Sequence, residues 1–198
     1  MKEGFLSIVK FFLFLLLLPL IIATAVSFQI QILALPVPEE SWFLWGAAAF
    51  VLTYLFLYNF TEIYVFGQTI VSNLVKFFQP LVQVAGLVVP IYTILIICAI
   101  LILNILGFGD RYEAWLVFAL AFSVAMHIIL TAHQLYEADK SPLKAHYLVV
   151  FGVAFVVNVF IISLLLGLAI PEFSFIAFFK YLSHHAWSSY QRIYQVLV

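Results

Sequence analysis

Charged residues are scarce in this chain: Asp, Glu, Lys and Arg make up 9% of its 198 residues, whereas 67% are hydrophobic. Soluble domains contain about 25% charged residues, and a surface that faces water needs roughly that share. The shortage excludes a soluble enzyme and a disordered tail. The formal net charge of −1 provides no positive field for phosphate, which excludes a nucleic-acid-binding protein.

Cysteine and short catalytic motifs are also scarce. Cys98 is the only cysteine, so the chain cannot form an internal disulfide framework or a thiolate metal cluster. The sequence contains no G-x-S-x-G elbow, no P-loop and no H-E-x-x-H pair. These gaps favour a non-enzymatic protein, and we expect neither a cofactor nor a metal ion.

Long apolar runs dominate the sequence. A helix needs about 20 apolar residues to cross a hydrocarbon core of about 30 Å, and its backbone groups must bond within the helix. The runs are continuous, unlike the alternating pattern of a β-barrel strand. Five runs fit, at about residues 11–26, 42–62, 87–106, 114–135 and 147–170. We predict an all-α polytopic membrane protein with about five transmembrane helices, bundled over residues 1–170.

The first run has the layout of a signal peptide, because two lysines precede an apolar stretch that ends in Ala23-Thr24-Ala25. The stretch is long for a signal core, so we expect an uncleaved anchor. Residues 27–32 then alternate polar and apolar side chains, which is typical of an extended segment. The simpler interpretation is that the first helix continues until Pro36 and Pro38, which leaves the extended segment as the alternative.

Two segments have one polar and one apolar side at helical spacing. We predict amphipathic interfacial helices at about residues 63–79, ended by Pro80, and at about residues 172–196. The second helix forms a separate unit, residues 171–198, that lies in the outer interface or docks onto a partner. Its polar side carries Lys180, His184, Ser188, Gln191 and Gln195.

Lys and Arg in short loops set the orientation of a membrane protein. With the N-terminus inside, five lysines fall on the inner side, and three cationic residues fall on the outer side. This distribution favours an N-terminus inside and a C-terminus outside. We expect the protein to reside in a prokaryotic cytoplasmic (inner) membrane.

Polar residues inside the apolar runs point to function, because polar groups are costly in lipid. In the fourth run, Ser123, His127, Thr131 and Gln134 are spaced by four, four and three residues, which places them on one helix face. At 1.5 Å per residue, Asn158 of the fifth run reaches the depth of His127 within about one turn. We predict an intramembrane polar site of these five residues, with a hydrogen bond, direct or through water, between His127 and Asn158. Ordinary interhelical bonding is the simpler explanation of the same pattern.

Ionisable residues also gather at the predicted inner ends of the helices, namely Glu62, His133, Glu137 and His146. Histidine with carboxylate suits zinc or iron, and two histidines could hold a haem. The alternative is that these side chains extend to the headgroups. These four residues form a second candidate cluster.

These features predict a non-enzymatic integral membrane subunit of a larger complex, in contact with the lipid bilayer and with other membrane or envelope proteins. One alternative is a small transporter or substrate-binding component that uses the polar stripe. A second alternative is a redox subunit that holds haem or quinone.

Overall fold

The computed structural model describes residues 2–77, 79–139 and 145–197, and all regular elements in this part are α-helices. In chain order they are α1 (Lys2–Leu33), α2 (Val37–Phe56), α3 (Thr61–Leu74), α4 (Gln79–Val88), α5 (Ile91–Ile105), α6 (Gly109–Ala138), α7 (Ala145–Ala169) and α8 (Phe175–Leu197). The predicted all-helical class is confirmed for these residues.

The predicted number of five membrane spans is not supported. In the described part of the chain, three stretches are long and apolar enough to cross a membrane: Leu6–Leu33, Tyr112–Ala138 and Ala145–Ala169. Helices α2 and α3 add a fourth only if they are counted as one span, although they are bent by 118°. Helix α5 has only 15 residues. Length and composition therefore support three to four spans.

The count differs because two of the apolar runs are broken. The run at residues 42–62 stops after α2 and resumes at Thr61, whose backbone N–H and hydroxyl donate to Asn59 Oδ1 at 3.0 and 2.6 Å. The run at residues 87–106 is interrupted at Pro90, which has no N–H to continue the helical ladder. The run at residues 87–106 stays apolar across its break, so hydropathy does not reveal it, whereas the break in the run at residues 42–62 contains Asn59 and is followed by Thr61.

The helix bounds decide two local predictions. Residues 27–32 belong to α1, which continues to Leu33, so the continued helix is confirmed and the extended segment is wrong. The amphipathic helix predicted over residues 63–79 is divided, because α3 already ends at Leu74. Pro80 lies in the first turn of α4 instead of ending a helix. Proline is tolerated there because the first turn needs no N–H donor.

The main helix contacts join α2 to α6 and α1 to both α7 and α8. Glycine permits two of these approaches. A Cβ on Gly46 of α2 would collide with the carbonyl oxygen of Phe118 in α6, and a Cβ on Gly152 of α7 would lie 2.7 Å from Ile21 Cδ1 in α1. Small residues thus bring the helix backbones close together.

Helix α8 lies lengthwise on α1 and runs in the opposite direction. Near the start of α8, the Ser174 N–H donates to Gln31 Oε1 at 3.3 Å. Sixteen residues later, the Tyr190 hydroxyl donates to the Leu16 carbonyl at 2.9 Å. Helix α8 therefore follows about 15 residues of α1, or about 22 Å of helix.

Candidate functional site

The predicted hydrogen bond between His127 and Asn158 is present. His127 Nε2 on α6 lies 3.2 Å from Asn158 Oδ1 on α7, and the two residues are only 5% and 2% exposed. Asn158 Nδ2 donates to the Leu87 carbonyl at 3.0 Å. A carbonyl can only accept, so the Asn158 amide turns its nitrogen to Leu87 and its oxygen to His127. His127 Nε2 is therefore the donor in this pair.

The break between α4 and α5 leaves the carbonyls of Gly86 and Leu87 without their helical donors. In a continuous helix, the Gly86 carbonyl would accept from residue 90, but Pro90 has no N–H. The Leu87 carbonyl would accept from Ile91, whose N–H instead donates to Val89 O at 3.0 Å. Unpaired carbonyls are costly in an apolar interior, so both of these groups need donors from elsewhere.

Side-chain amides supply both donors. Asn158 bonds to the Leu87 carbonyl as described, and Gln68 Nε2 of α3 donates to the Gly86 carbonyl at 3.2 Å. Gln68 also forms a reciprocal pair with Gln134 of α6, in which the two N···O distances are 2.8 and 3.0 Å. Helices α3, α6 and α7 are thereby connected around the C-terminal end of α4.

The other predicted residues bond to α3 and α5. Thr131 Oγ1 lies 2.5 Å from the Tyr64 hydroxyl, and the Tyr64 ring centroid is 5.9 Å from that of His127. Ser123 donates to a carbonyl of its own helix at 2.7 Å, so the Thr93 hydroxyl, 3.0 Å away, donates to Ser123. We call Ser123, His127, Thr131 and Gln134 the interior stripe of α6.

Every residue of the interior stripe, together with Asn158, thus bonds to a neighbouring helix. Tyr64, Gln68 and Thr93, which complete the network, were not predicted from the sequence. One available indication was Pro90 within an apolar run, because a proline there frees the carbonyl four residues earlier. A freed carbonyl predicts a buried donor nearby, although the sequence does not say which one.

The four ionisable residues predicted at the inner end do not gather into one site. His133 Nε2 and Glu137 Oε1 lie 3.3 Å apart on α6, but their side chains are 39% and 67% exposed. In the described part of the chain, no three His, Cys, Asp or Glu side chains are placed to hold a metal ion, so Glu62 and His146 complete no such group. An exposed pair of this kind contributes about 0–1 kcal/mol.

An open cavity of about 480 Å³ lies beside the amide pair of Gln68 and Gln134. Its lining mixes polar groups with apolar side chains: Gln68, Ser72, Gly86, Leu87, Gln134, Leu135 and Ala138. His127 and Asn158 do not belong to this lining. The cavity therefore reaches the edge of the polar network but not its central pair.

Three to four apolar helices around a buried polar network define a helical, membrane-embedded protein. Comparison of the chain with protein-family models, with curated proteins and with solved structures finds no match.

Proposed function

We propose that this protein is a non-catalytic integral membrane subunit that works in a complex with other membrane proteins. The closed hydrogen bonding of the polar site is the observation that carries the proposal. His127, Asn158 and the Leu87 carbonyl bond one another in the buried interior. The bonds hold the broken helix α4–α5 against α6 and α7, which is a structural task rather than a chemical one.

The outward side of α8 supports the participation of partners. Lys180, His184 and Gln191 are exposed on a helix that follows the apolar stretch of α1. Polar side chains at that depth are unfavourable against hydrocarbon, so contact with another protein would stabilise them.

Purification of the tagged full-length protein from its own cells in mild detergent, followed by native mass spectrometry, tests the proposal. We expect a complex with at least one other membrane protein at a fixed stoichiometry, and untagged cells provide the control. A stable monomer without any co-purifying protein would contradict the proposal.

The cavity beside Gln68 and Gln134 favours a second candidate, a component that binds a small polar molecule. Amide groups and the Ser72 hydroxyl offer both donors and acceptors to such a ligand. Filling the cavity with Ser72→Leu should then abolish a ligand-induced rise in melting temperature, whereas Thr69→Leu on the same helix should not. If no polar solute raises the melting temperature of the wild type, this candidate is wrong.

No contact among the described residues favours the redox alternative. Because Nε2 of His127 donates to Asn158, only the Nδ1 lone pair of this histidine is left for a haem iron. An absorption spectrum of the purified protein tests this alternative, since a Soret band would support it.

A further inference from the structure

Helix α8 has a polar side, and the helix as a whole lies beside the middle of the apolar helix α1. Its antiparallel contacts pair Ser174 with Gln31 and Tyr190 with Leu16. By the same register, the centre of the apolar stretch Leu6–Leu33 lies beside about residue 186 of α8. Helix α8 is not itself among the stretches apolar enough to cross a membrane. If α1 crosses, the register of the two helices nevertheless places α8 at membrane depth.

One side of α8 is buried within the chain. Phe178 and Leu182 pack into a cluster with Ala23 of α1 and Val159 of α7. At about 100° per residue, the residues on the opposite side are polar and exposed. We call Lys180, His184, Gln191 and Gln195 the outer face of α8. Trp187 and Tyr194, each 66% exposed, lie next to this face.

The neighbouring helices contain almost no acid to balance this face. Helices α7 and α8 have no Asp or Glu in their sequences, and α1 has only Glu3, far from the depth of Lys180. Hydrocarbon solvates neither a lysine nor a histidine well. The outer face therefore requires a polar cover from outside these three helices.

A second copy of the chain would not stabilise the outer face of α8. Copies inserted in the same direction are related by an axis along the membrane normal, so a shared face brings equal depths together. Lys180 would then meet Lys180 of the other copy, and His184 would meet His184. Like charges that face each other in a medium of low dielectric constant repel strongly.

We propose that the outer face of α8 is covered, within the membrane, by a transmembrane segment of a different protein that carries a carboxylate at the depth of Lys180. The inference rests on the proposed function and names the chemistry of its partner. A carboxylate neutralises the ammonium group, and a polar side chain one turn further along the partner can bond to His184. Trp187 and Tyr194 provide the apolar contact area beside this pair.

Synthetic transmembrane helices serve as the probe. The full-length protein, labelled with a donor fluorophore at its C-terminus, is reconstituted in phosphatidylcholine vesicles with acceptor-labelled polyleucine helices. One helix carries Glu at the depth of Lys180, the second carries Gln there, and the third carries only Leu. We expect the Glu helix to bind about three- to tenfold more tightly than the Leu helix, as measured by energy transfer.

Three variants make the result specific. Lys180→Leu should abolish the preference for the Glu helix. Lys180→Glu should transfer the preference to a helix that carries Lys, which also shows that the variant folds. Lys76→Leu, an exposed lysine at the end of α3, should change nothing.

Several outcomes would overturn the inference. Equal binding of the Glu and Leu helices would do so, and so would self-association that Lys180→Leu abolishes, because the cover would then be a second copy. Loss of the Glu preference on addition of phosphatidylserine would identify lipid headgroups as the cover. If one of these results occurs while the purified complex stays intact, the acidic partner is refuted but the proposed function is not. A monomer that purifies without any partner would refute the proposed function itself.

Discussion

The interior stripe of α6 and the outer face of α8 share helical spacing but differ in their surroundings. The interior stripe consists of neutral groups, and each one bonds to α3, α5 or α7 within the chain. The outer face includes Lys180, and the helices around it offer almost no acid in return. The contrast is between neutral polar groups that hold the helices together and a charged group, Lys180, that faces outward from the chain.

The two ends of the chain provide the most decisive test of this contrast. Because α8 returns antiparallel along α1, we predict that the N- and C-termini lie on the same side of the membrane. The distribution of Lys and Arg predicts opposite sides instead, on the premise that residues 171–198 stay in the outer interface. Fusion of a compartment-sensitive reporter to each end, with one reporter in the Ala34–Pro36 turn as the control, distinguishes the two predictions. If the two reporters respond in different compartments, α8 lies in the interface and does not cross with α1. Lys180 would then be hydrated, and it would need no acidic partner within the membrane.

Within the interior, Asn158→Leu should have the largest effect on stability. The substitution leaves the Leu87 carbonyl without its amide donor and His127 Nε2 without its acceptor, both in buried surroundings. We expect the free energy of unfolding to fall by about 2 kcal/mol or more, as judged by titration with a denaturing detergent.

Asn104→Leu is the matched control, since Asn104 is exposed on α5. It should change the free energy of unfolding by about 0.5 kcal/mol or less. Equal losses in the two variants would mean that the buried amide contributes nothing specific, and the structural role given to the interior stripe would be wrong.

Much of this interior could be predicted from the sequence, for a physical reason. Spacing places His127 on a defined helix face, and a constant rise per residue places Asn158 at the same depth. The break at Pro90 could not be placed in the same way, because leucine, isoleucine and valine continue through it and hydropathy measures only composition. The role of Gln68 could not be predicted either, because one of its partners is a backbone carbonyl that becomes free only where the helix breaks.

The packing of α8 on α1 was not predicted, for a different reason. Its amphipathic pattern predicts one buried side, but the pattern is the same whether that side contacts lipid headgroups or α1. Only the contacts of Ser174 and Tyr190 with α1 show which neighbour α8 has.

The amide pair of Gln68 and Gln134 allows two substitutions that remove different numbers of hydrogen bonds to be compared. Gln68→Leu removes bonds to both Gln134 and the Gly86 carbonyl, whereas Gln134→Leu removes only the pair. We expect Gln68→Leu to reduce the free energy of unfolding by about 1–2 kcal/mol and Gln134→Leu by about half as much. Faster amide hydrogen exchange around the end of α4 should accompany only the first variant. Identical effects of the two variants would show that the Gly86 carbonyl does not depend on Gln68.

The smallest stability effect should come from the outer face. Lys180→Leu combined with His184→Leu removes exposed polar groups that have no acid nearby on α1, α7 or α8, so the free energy of unfolding of the isolated protein should change by about 0.5 kcal/mol or less. The same double variant should nevertheless lose its partner during purification from native membranes, because the partner's carboxylate would face leucine. Ser183→Leu, an exposed substitution beside the outer face, should retain the partner. A large loss of stability in the isolated double variant would mean that the outer face is bonded within the chain after all, and the distinction between the interior stripe and the outer face would no longer hold.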